Sequence, residues 1–415
     1  PEDPALRYVG RWDFADPENP EVGWQGASVA LRFIGTDAFV ALDPGSQTEY
    51  FRVIVDEDHT NSTRFAAGPG TETYALAEGL AYGEHQVELV KETYAGRNMT
   101  LNSFTVEASA ILDAPQTPTR HIEFYGDSNL AGYSLMSEQN QGGDQRVGSH
   151  FTYAGVVSRA FDATYHNISV SGQTLSGMKS RFDRIDYYDS ASTWDFASNP
   201  ADVVVMNLGA NDIYGPSEST VKERYVTMLD LLRAAQPNAH IVVYNAWGWD
   251  FAEPANYTDE VVADYGDDNI SVATFPWVFE QWHGCETDHG GMAQVLIPHI
   301  ESIMGWEASE QDLMSGYGLD GDLANGSFEN IAPFGGYGWR YYTDNGVSRV
   351  EDSGLAQDGD HFLKLRNGAE VHQPNPAENG QTVTVSLWMR GENDGDTATI
   401  TIDFRDQQMC TTPLQ

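Results

Sequence analysis

From Arg7 to about Ile111, apolar and polar positions alternate in short runs, among them ASVALRFIG, AFVALD, EYFRVIVD, HQVELVKETY and LNSFTVEA. Clusters of Gly, Pro, Asp and Asn separate these runs, so the pattern predicts an antiparallel β-sandwich. A Pro- and Thr-containing linker, APQTPTR, follows at 114–120, and beyond it the period changes. Between His121 and about Trp306 the strand candidates HIEFYG, TYHNISV, DVVVMNLG, HIVVYNAW and NISVATF alternate with the helical stretches FTYAGVVSRAFDA and STVKERYVTMLDLLRAA. Such alternation predicts a parallel sheet with crossover helices. In the second of these helices Val221, Tyr225, Met228, Leu229 and Leu232 share one face, and the Pro237-Asn238 pair ends it.

A polar, Gly- and Asp-rich connector leads to a further β-type region from about Leu319, with NGSFEN, HFLKLRNG, AEVHQP, QTVTVSLWMRG and ATITIDFRD. These runs predict a second sandwich. At Gln415 it has roughly two-thirds of the strands that a sandwich of about 100 residues needs, so the native polypeptide is expected to continue. The predicted organisation is three domains, at 1–113, 119–306 and 319–415.

Charge narrows the possible partners. The chain carries 62 acidic and 22 basic side chains, a net charge of −40. A field of that sign repels nucleic acid and anionic membranes, whose phosphates need clustered Lys and Arg. The acidity is spread along the chain, as in proteins adapted to salty water, where screening relieves self-repulsion. No run of about 18 apolar residues exists to span a bilayer. The polar opening PEDPALRYVG fits a mature exported protein and a cytoplasmic one equally. Cys285 and Cys410 are far apart in sequence, so no disulfide framework is expected.

Ligands of open parallel sheets bind beyond the carboxyl ends of the strands. Residues at those ends here are of reactive types. The first strand runs into Gly126-Asp127-Ser128-Asn129, where glycine permits a tight turn and the serine is expected at a helix N-terminus. The second runs into Ser169-Val170-Ser171-Gly172-Gln173, the third into Gly209-Ala210-Asn211-Asp212, and the last precedes Gln281-Trp282-His283. A serine hydroxyl needs a base to take its proton, and imidazole is the usual one. The N–H groups of Ser128 and Gly172 and the Asn211 amide would meet the oxyanion of an acyl-transfer intermediate. Taken singly, Ser128 and Asn211 would serve as well as helix N-caps, and His283 as a polar surface residue.

In this order, at the ends of consecutive strands, the four residues resemble the SGNH hydrolase superfamily, whose blocks centre on Ser, Gly, Asn and His. More narrowly, IEFYGDSNLAGYS, SVSGQT, MNLGANDIY and WHGCETDHGGMA are similar to family 2 carbohydrate esterases, including the second histidine, His289, six residues after the first. RYVGRWDFADPENPEVGWQGASVALRF and YGEHQVELVKET resemble that family's N-terminal jelly-roll, so the likeness spans roughly 7 to 305. The resemblance implies a jelly-roll followed by a three-layer α/β/α hydrolase domain. It implies Ser128 as nucleophile, Gly172 and Asn211 as oxyanion partners and His283 as base, with no cofactor or metal. An acetylated polysaccharide of plant type, such as acetylxylan or acetylglucomannan, is the implied substrate, and a secreted or periplasmic location goes with it.

One position departs from the family pattern, which often has Asp two residues before the histidine. Gln281 stands there, so a Ser-His dyad is expected, with a backbone carbonyl fixing the imidazole tautomer. Trp282, Trp247 and Trp249 offer flat apolar faces for sugar rings, though Trp247 and Trp249 suit core packing equally. Cys285 is expected to be inert and His289 structural. The C-terminal region, with NGSFEN, Gly338-Trp339 and GDHFLKLRNGAEVHQP, is similar to carbohydrate-binding modules. Glu329 and Asp360 are conceivable calcium ligands there, but no spacing approaches a diagnostic loop, and solvated carboxylates are the better expectation. Two other functions use the same residues: a general carboxylesterase or lipase, and a glycan-binding protein that has lost turnover.

Overall fold

A computed structural model describes residues 4–59, 61–94, 98–137, 142–188, 191–212, 215–245, 255–275 and 283–309, and shorter stretches between 323 and 402. The N-terminal part is an antiparallel assembly of nine strands: β1 (Leu6–Val9), β2 (Trp12–Asp13), β3 (Glu21–Val22), β4 (Ser28–Asp43), β5 (Glu49–Val55), β6 (Thr63–Ala67), β7 (Glu72–Ala77), β8 (Gly83–Lys91) and β9 (Met99–Ile111). β4 organises it. Its first half pairs with β1 and β8, and its second half with β7 and β9, with register shifts around Gly35 where the strand passes from one set of partners to the other. Inward positions of the alternating runs, including Val29, Leu31, Phe33, Val40, Leu42, Phe51, Val87 and Leu89, form its core. β6 and β7 were not among the runs legible in the sequence.

The central part contains the parallel strands β10 (Arg120–Gly126), β11 (Ala163–Ser169), β12 (Val203–Asn207), β13 (His240–Asn245) and β14 (Ile270–Thr274), in the spatial order β11-β10-β12-β13-β14. Helices α1 (Tyr153–Ala160) and α5 (Glu286–Met304) pack on one face, and α2 (Leu175–Met178), α3 (Glu218–Ala235) and α4 (Ala255–Tyr265) supply the other. The five residues of the predicted helix face, Val221 to Leu232, are all buried in the second of these layers. Strand order reverses at β10, which lies between β11 and β12. Such a switch point opens a crevice at the strand's carboxyl end, and Ser128 lies there.

The two parts are pinned together by polar groups. Arg11, at the end of the β1–β2 turn, is fully buried and donates to Glu123 Oε1 at 3.0 Å and Tyr125 Oη at 2.9 Å, both on β10. Its other terminal nitrogen donates to the carbonyls of Phe182 and Arg184 at 2.6 and 2.9 Å. Trp24, from the N-terminal part, sits in the central core with Ile168, Leu175 and Met178.

At the C-terminal end, β15 (Arg340–Tyr341) pairs with β18 (Val371–His372), and β16 (Val347–Glu351) with β17 (His361–Leu365), both antiparallel. The expected second sandwich is present in this part only. Among the described residues QTVTVSLWMRG forms no ladder, and its apolar positions Val383, Val385, Leu387 and Trp388 are exposed because no strand covers them. Glu329 accepts from the backbone N–H groups of Asp360 and His361 at 2.8 and 2.9 Å and from His361 Nδ1 at 2.6 Å. It acts as a local cap for that turn. Among the described residues no helix is long and apolar enough to cross a membrane.

A buried ion pair is costly to break from one side, because the remaining charge is stranded in low dielectric. Arg11→Ala should therefore lower stability by about 3–5 kcal/mol, read from the urea midpoint. Arg11→Met combined with Glu123→Gln should cost clearly less than Arg11→Ala; an equal or larger loss would show that the charge itself is not what matters.

Candidate active site

At the end of β10 the chain must turn sharply. Gly126 makes this possible, since a Cβ there would lie 2.6 Å from Cβ of Leu130. The residues after it do not form the expected helix. Ala131 N–H bonds to Asp127 O at 2.9 Å, but Tyr133 N–H reaches back to Ser128 O at 2.9 Å, and Gly132 and Ser134 take positive φ values of 75° and 65°. Those left-handed residues interrupt the helical ladder, so Ser128 stands on a chain of turns. It is buried, and its Oγ lies 2.9 Å from Nε2 of His283. Of the two bland alternatives, neither N-cap role applies: α3 is capped by Ser217, whose side chain accepts from Thr220 N–H.

His283 is half-buried just before α5 and packs against Tyr133, ring centroids 4.6 Å apart. Its loop is tied to the turn bearing Ser128 by Asn129, whose Oδ1 accepts from Gly284 N–H at 3.2 Å. At the start of α5, Cys285 is the N-cap, and Asp288 completes a capping box by accepting from Cys285 N–H at 2.9 Å. Both are thereby structural residues. Burial pushes the His283 imidazole down to about 4, so the ring is neutral at ordinary pH and able to accept a proton. His289 is buried, stacks on Tyr153 with centroids 5.8 Å apart and accepts from Tyr153 N–H through Nδ1 at 3.2 Å. It supports α1 against α5, the structural role expected of it.

At the ends of β11 and β12 lie the remaining two residues. Val170 to Gln173 form a turn closed by Gln173 N–H on Val170 O at 3.1 Å, with Gly172 at φ 75° in the third position. That is the left-handed position of a type II turn, which glycine takes without strain. Asn211 is exposed, and its Nδ2 donates to Gln173 O at 3.1 Å and to Asp127 Oδ2 at 3.2 Å. These bonds link the ends of all three strands. Asp127 is buried; burial, with a smaller push from nearby Asp212, raises its carboxyl to about 7 against the Asn129 N–H bond. Asp212, also buried, accepts from Leu175 N–H at 2.8 Å and Arg224 at 2.7 Å, which seats α2 against the Asn211 loop.

Ser128, Gly172, Asn211 and His283 are therefore carried by loops at one end of the sheet, and direct contacts tie Ser128 to His283 and Asn211 to the turn bearing Gly172. Gln281, Trp282, Trp247 and Trp249 lie outside the described residues. Asp127 and Asn129, which flank the serine, were legible in the motif but carried no assigned role; polar residues next to a nucleophile on a turn are the available signal.

One further cluster has metal-ligand composition: His121, Glu123 and His166, whose ligand atoms lie within 4.8 Å of one another. It sits toward the opposite end of β10 from Ser128. Glu123 is already saturated there, accepting from Arg11, from His166 Nδ1 at 3.1 Å, from Tyr125 Oη at 2.8 Å and from Gln236 at 3.3 Å. Burial works to raise the Glu123 carboxyl, but Arg11 and His166 outweigh it and hold it below its ordinary range. With the guanidinium in the cation's place, these residues do not fit a metal.

Comparison with known proteins places this arrangement. Residues 8–115 match the family described as carbohydrate esterase 2 N-terminal, and 124–279 match the GDSL-like lipase/acylhydrolase family, a span that includes Ser128, Gly172 and Asn211 and stops just short of His283. The cellulase/esterase CelE of Acetivibrio thermocellus is 31% identical over 330 residues, which are 74% of this chain and 40% of that protein. The chain thus matches well under half the length of that relative. A family two carbohydrate esterase from Clostridium thermocellum, solved in complex with cellohexaose, is 29% identical with a TM-score of 0.66, covering 72% of this chain and 99% of its own. The acetyl xylan esterase Est2A from the rumen bacterium Butyrivibrio proteoclasticus shares the fold at 18% identity, with a TM-score of 0.66, over 74% of this chain and 97% of its own. In order along the chain, residues 8–115 and 124–279 thus match a carbohydrate esterase 2 N-terminal domain and a GDSL-like hydrolase domain, and over this span the chain is similar to the family 2 carbohydrate esterases.

Proposed function

We propose that the chain is a secreted serine esterase that removes acetyl groups from polysaccharide through a Ser128-His283 dyad. The observation that carries this reading is the 2.9 Å contact between Ser128 Oγ and His283 Nε2 at the switch point of the sheet. His283 Nε2 takes the hydroxyl proton as Oγ attacks the acetyl carbonyl carbon. The bond from that carbon to the sugar oxygen then breaks, and the imidazolium returns the proton to the departing sugar hydroxyl. Water, deprotonated by the same imidazole, attacks the acetyl-serine and releases acetate.

Negative charge on the carbonyl oxygen is met by the N–H groups of Ser128 and Gly172 and by the Asn211 amide. The amide's two bonds in the structure, to Gln173 O and Asp127, mean that the oxyanion competes for one of them. The longer bond, to Asp127, is the one to yield. Because Asn211 is exposed while Ser128 is buried, it forms the rim of the hole on the substrate side. Support for a sugar-chain substrate comes from the relative solved with cellohexaose and from the acetyl xylan esterase of the same fold. Trp282, Trp247 and Trp249 are the proposed ring-stacking residues, the C-terminal region is the proposed sugar-binding module, and the sequence-based boundaries 1–113, 119–306 and 319–415 are the proposed domains.

Ser128→Ala should abolish acetate release from acetylated xylan and glucomannan while leaving the circular dichroism spectrum and melting temperature close to wild type. Retained release would sink the assignment. Faster turnover of long-chain esters than of acetylated polymer would favour a general carboxylesterase, and binding to deacetylated polymer without any turnover would favour a glycan-binding protein.

Asn211→Ala should lower kcat by roughly 10²-fold with a smaller change in KM, since the amide binds charge present mainly in the transition state. A change confined to KM would point to a ground-state contact. The depressed His283 pKa fixes the acid side of the pH profile. With the base neutral above about 4, kcat/KM should fall only as pH drops toward that value, where an ordinary histidine would cause the fall near 6.5. A limb near 6.5 in rates measured from pH 3.5 to 8 would contradict the burial argument.

A further inference from the structure

The N-terminal sandwich reaches the oxyanion hole with two side chains. Gln25 is buried, and its Nε2 donates to Ser169 O at 2.8 Å and to Ser169 Oγ at 2.6 Å, at the last residue of β11. Two residues further along, Ser171 Oγ accepts a hydrogen bond from the hydroxyl of Tyr94. Tyr94 follows the last strand residues of β8 and is itself held by its backbone, since Tyr188 Oη donates to Tyr94 O at 3.2 Å. Burial raises the Tyr94 phenol above its usual value, which keeps it a neutral donor.

Ser171 is the second residue of the Val170–Gln173 turn, and Gly172 is the third. In a turn with a left-handed third residue, the peptide plane between these two is the one whose orientation distinguishes type II from type I. That plane carries the Gly172 N–H. A Cβ built on Gly172 meets nothing within 4 Å, so that side of the residue faces open space. Ser171 adjoins the plane directly, and Tyr94 grips its side chain.

We propose that Tyr94 is a positioning residue for the oxyanion hole: the N-terminal sandwich, through Tyr94 and Ser171, aims the Gly172 N–H at the reacting carbonyl. This rests on the esterase reading above. It gives the N-terminal sandwich a part in the chemistry as well as in stability. A donor is effective only if it points at the oxyanion before the charge develops, and small misplacements of such groups cost rate rather than ground-state binding.

The test is a double-mutant cycle on the full chain, with 4-nitrophenyl acetate and acetylated xylan as substrates. Tyr94→Phe and Ser171→Ala should each lower kcat about ten-fold with KM within about two-fold, and the double variant should be no slower than the slower single one. Urea midpoints measured alongside separate lost positioning from lost folding. Unchanged kcat in Tyr94→Phe, a rise in KM alone, or losses that multiply to about a hundred-fold in the double variant would each overturn the proposal, as would a loss accounted for by unfolded protein. Ser128→Ala is the control for the underlying reading. If Ser128→Ala is inactive while Tyr94→Phe is wild type, positioning by Tyr94 fails alone; if Ser128→Ala is active, the esterase reading fails first.

Discussion

The guanidinium of Arg11 lies in the seam between an antiparallel sandwich and a parallel sheet, with no exposed surface and four hydrogen-bond acceptors around it. Two acceptors are on β10, the strand that leads to Ser128, and two are carbonyls of the segment after α2, which follows the Gly172 turn. Burial of an arginine is costly unless its charge is paired, and here both terminal nitrogens are bonded, one of them to the Glu123 carboxylate, across the seam between the two parts. Trp24 adds apolar area to the same seam, and Gln25 extends it along β11. The end of the sheet that carries Ser128 thus inherits its alignment from contacts made by residues near the start of the chain.

That alignment matters because the four reactive groups sit on loops, where local sequence does little to fix a conformation. Each loop end is instead cross-tied: Asn129 to Gly284, Asn211 to Gln173 and Asp127, Asp212 to Leu175, Tyr94 to Ser171. The ties are single hydrogen bonds, each worth about 0.5–1.5 kcal/mol net. Their effect is collective. They hold groups that would otherwise sample several rotamers, and the entropy of ordering is met when the chain folds and not when the substrate reacts.

Much of this was legible along the chain, and the boundary of what was legible has a physical cause. Period-two alternation in ASVALRFIG or EYFRVIVD and the 3.6-residue spacing of Val221 to Leu232 are signals local to one element, and each corresponds to its element in the structure. Ser128, Gly172, Asn211 and His283 were legible because strand ends in a parallel sheet converge on one edge, so order along the chain implies proximity in space. Arg11, Gln25 and Tyr94 were not. Their partners lie 77 to 173 residues away, and nothing in RYVGRW or VKETYAG distinguishes a residue facing the sandwich's own core from one facing a second domain. The helix expected after Ser128 failed for a different reason: Gly132 and Ser134 both take the left-handed region, and for the serine composition alone gives no signal.

The charge distribution completes the argument. The chain has only 22 basic residues, and among the described ones Arg11, Arg52 and Lys91 are buried, paired with Glu123, Glu92 and Glu49 at or near the seam. Each of these pairs withdraws one charge of either sign, so the whole acidic excess stays outside them, where carboxylates repel one another and any anionic polymer. Salt screens exposed charges over about 10 Å at 0.1 M but scarcely reaches pairs from which water is excluded. The surface and the seam therefore respond differently to ionic strength: the first loses its self-repulsion, while the second keeps its attraction. An uncharged ligand approaches such a surface without electrostatic penalty, and the buried contacts that order the site are little affected by salt.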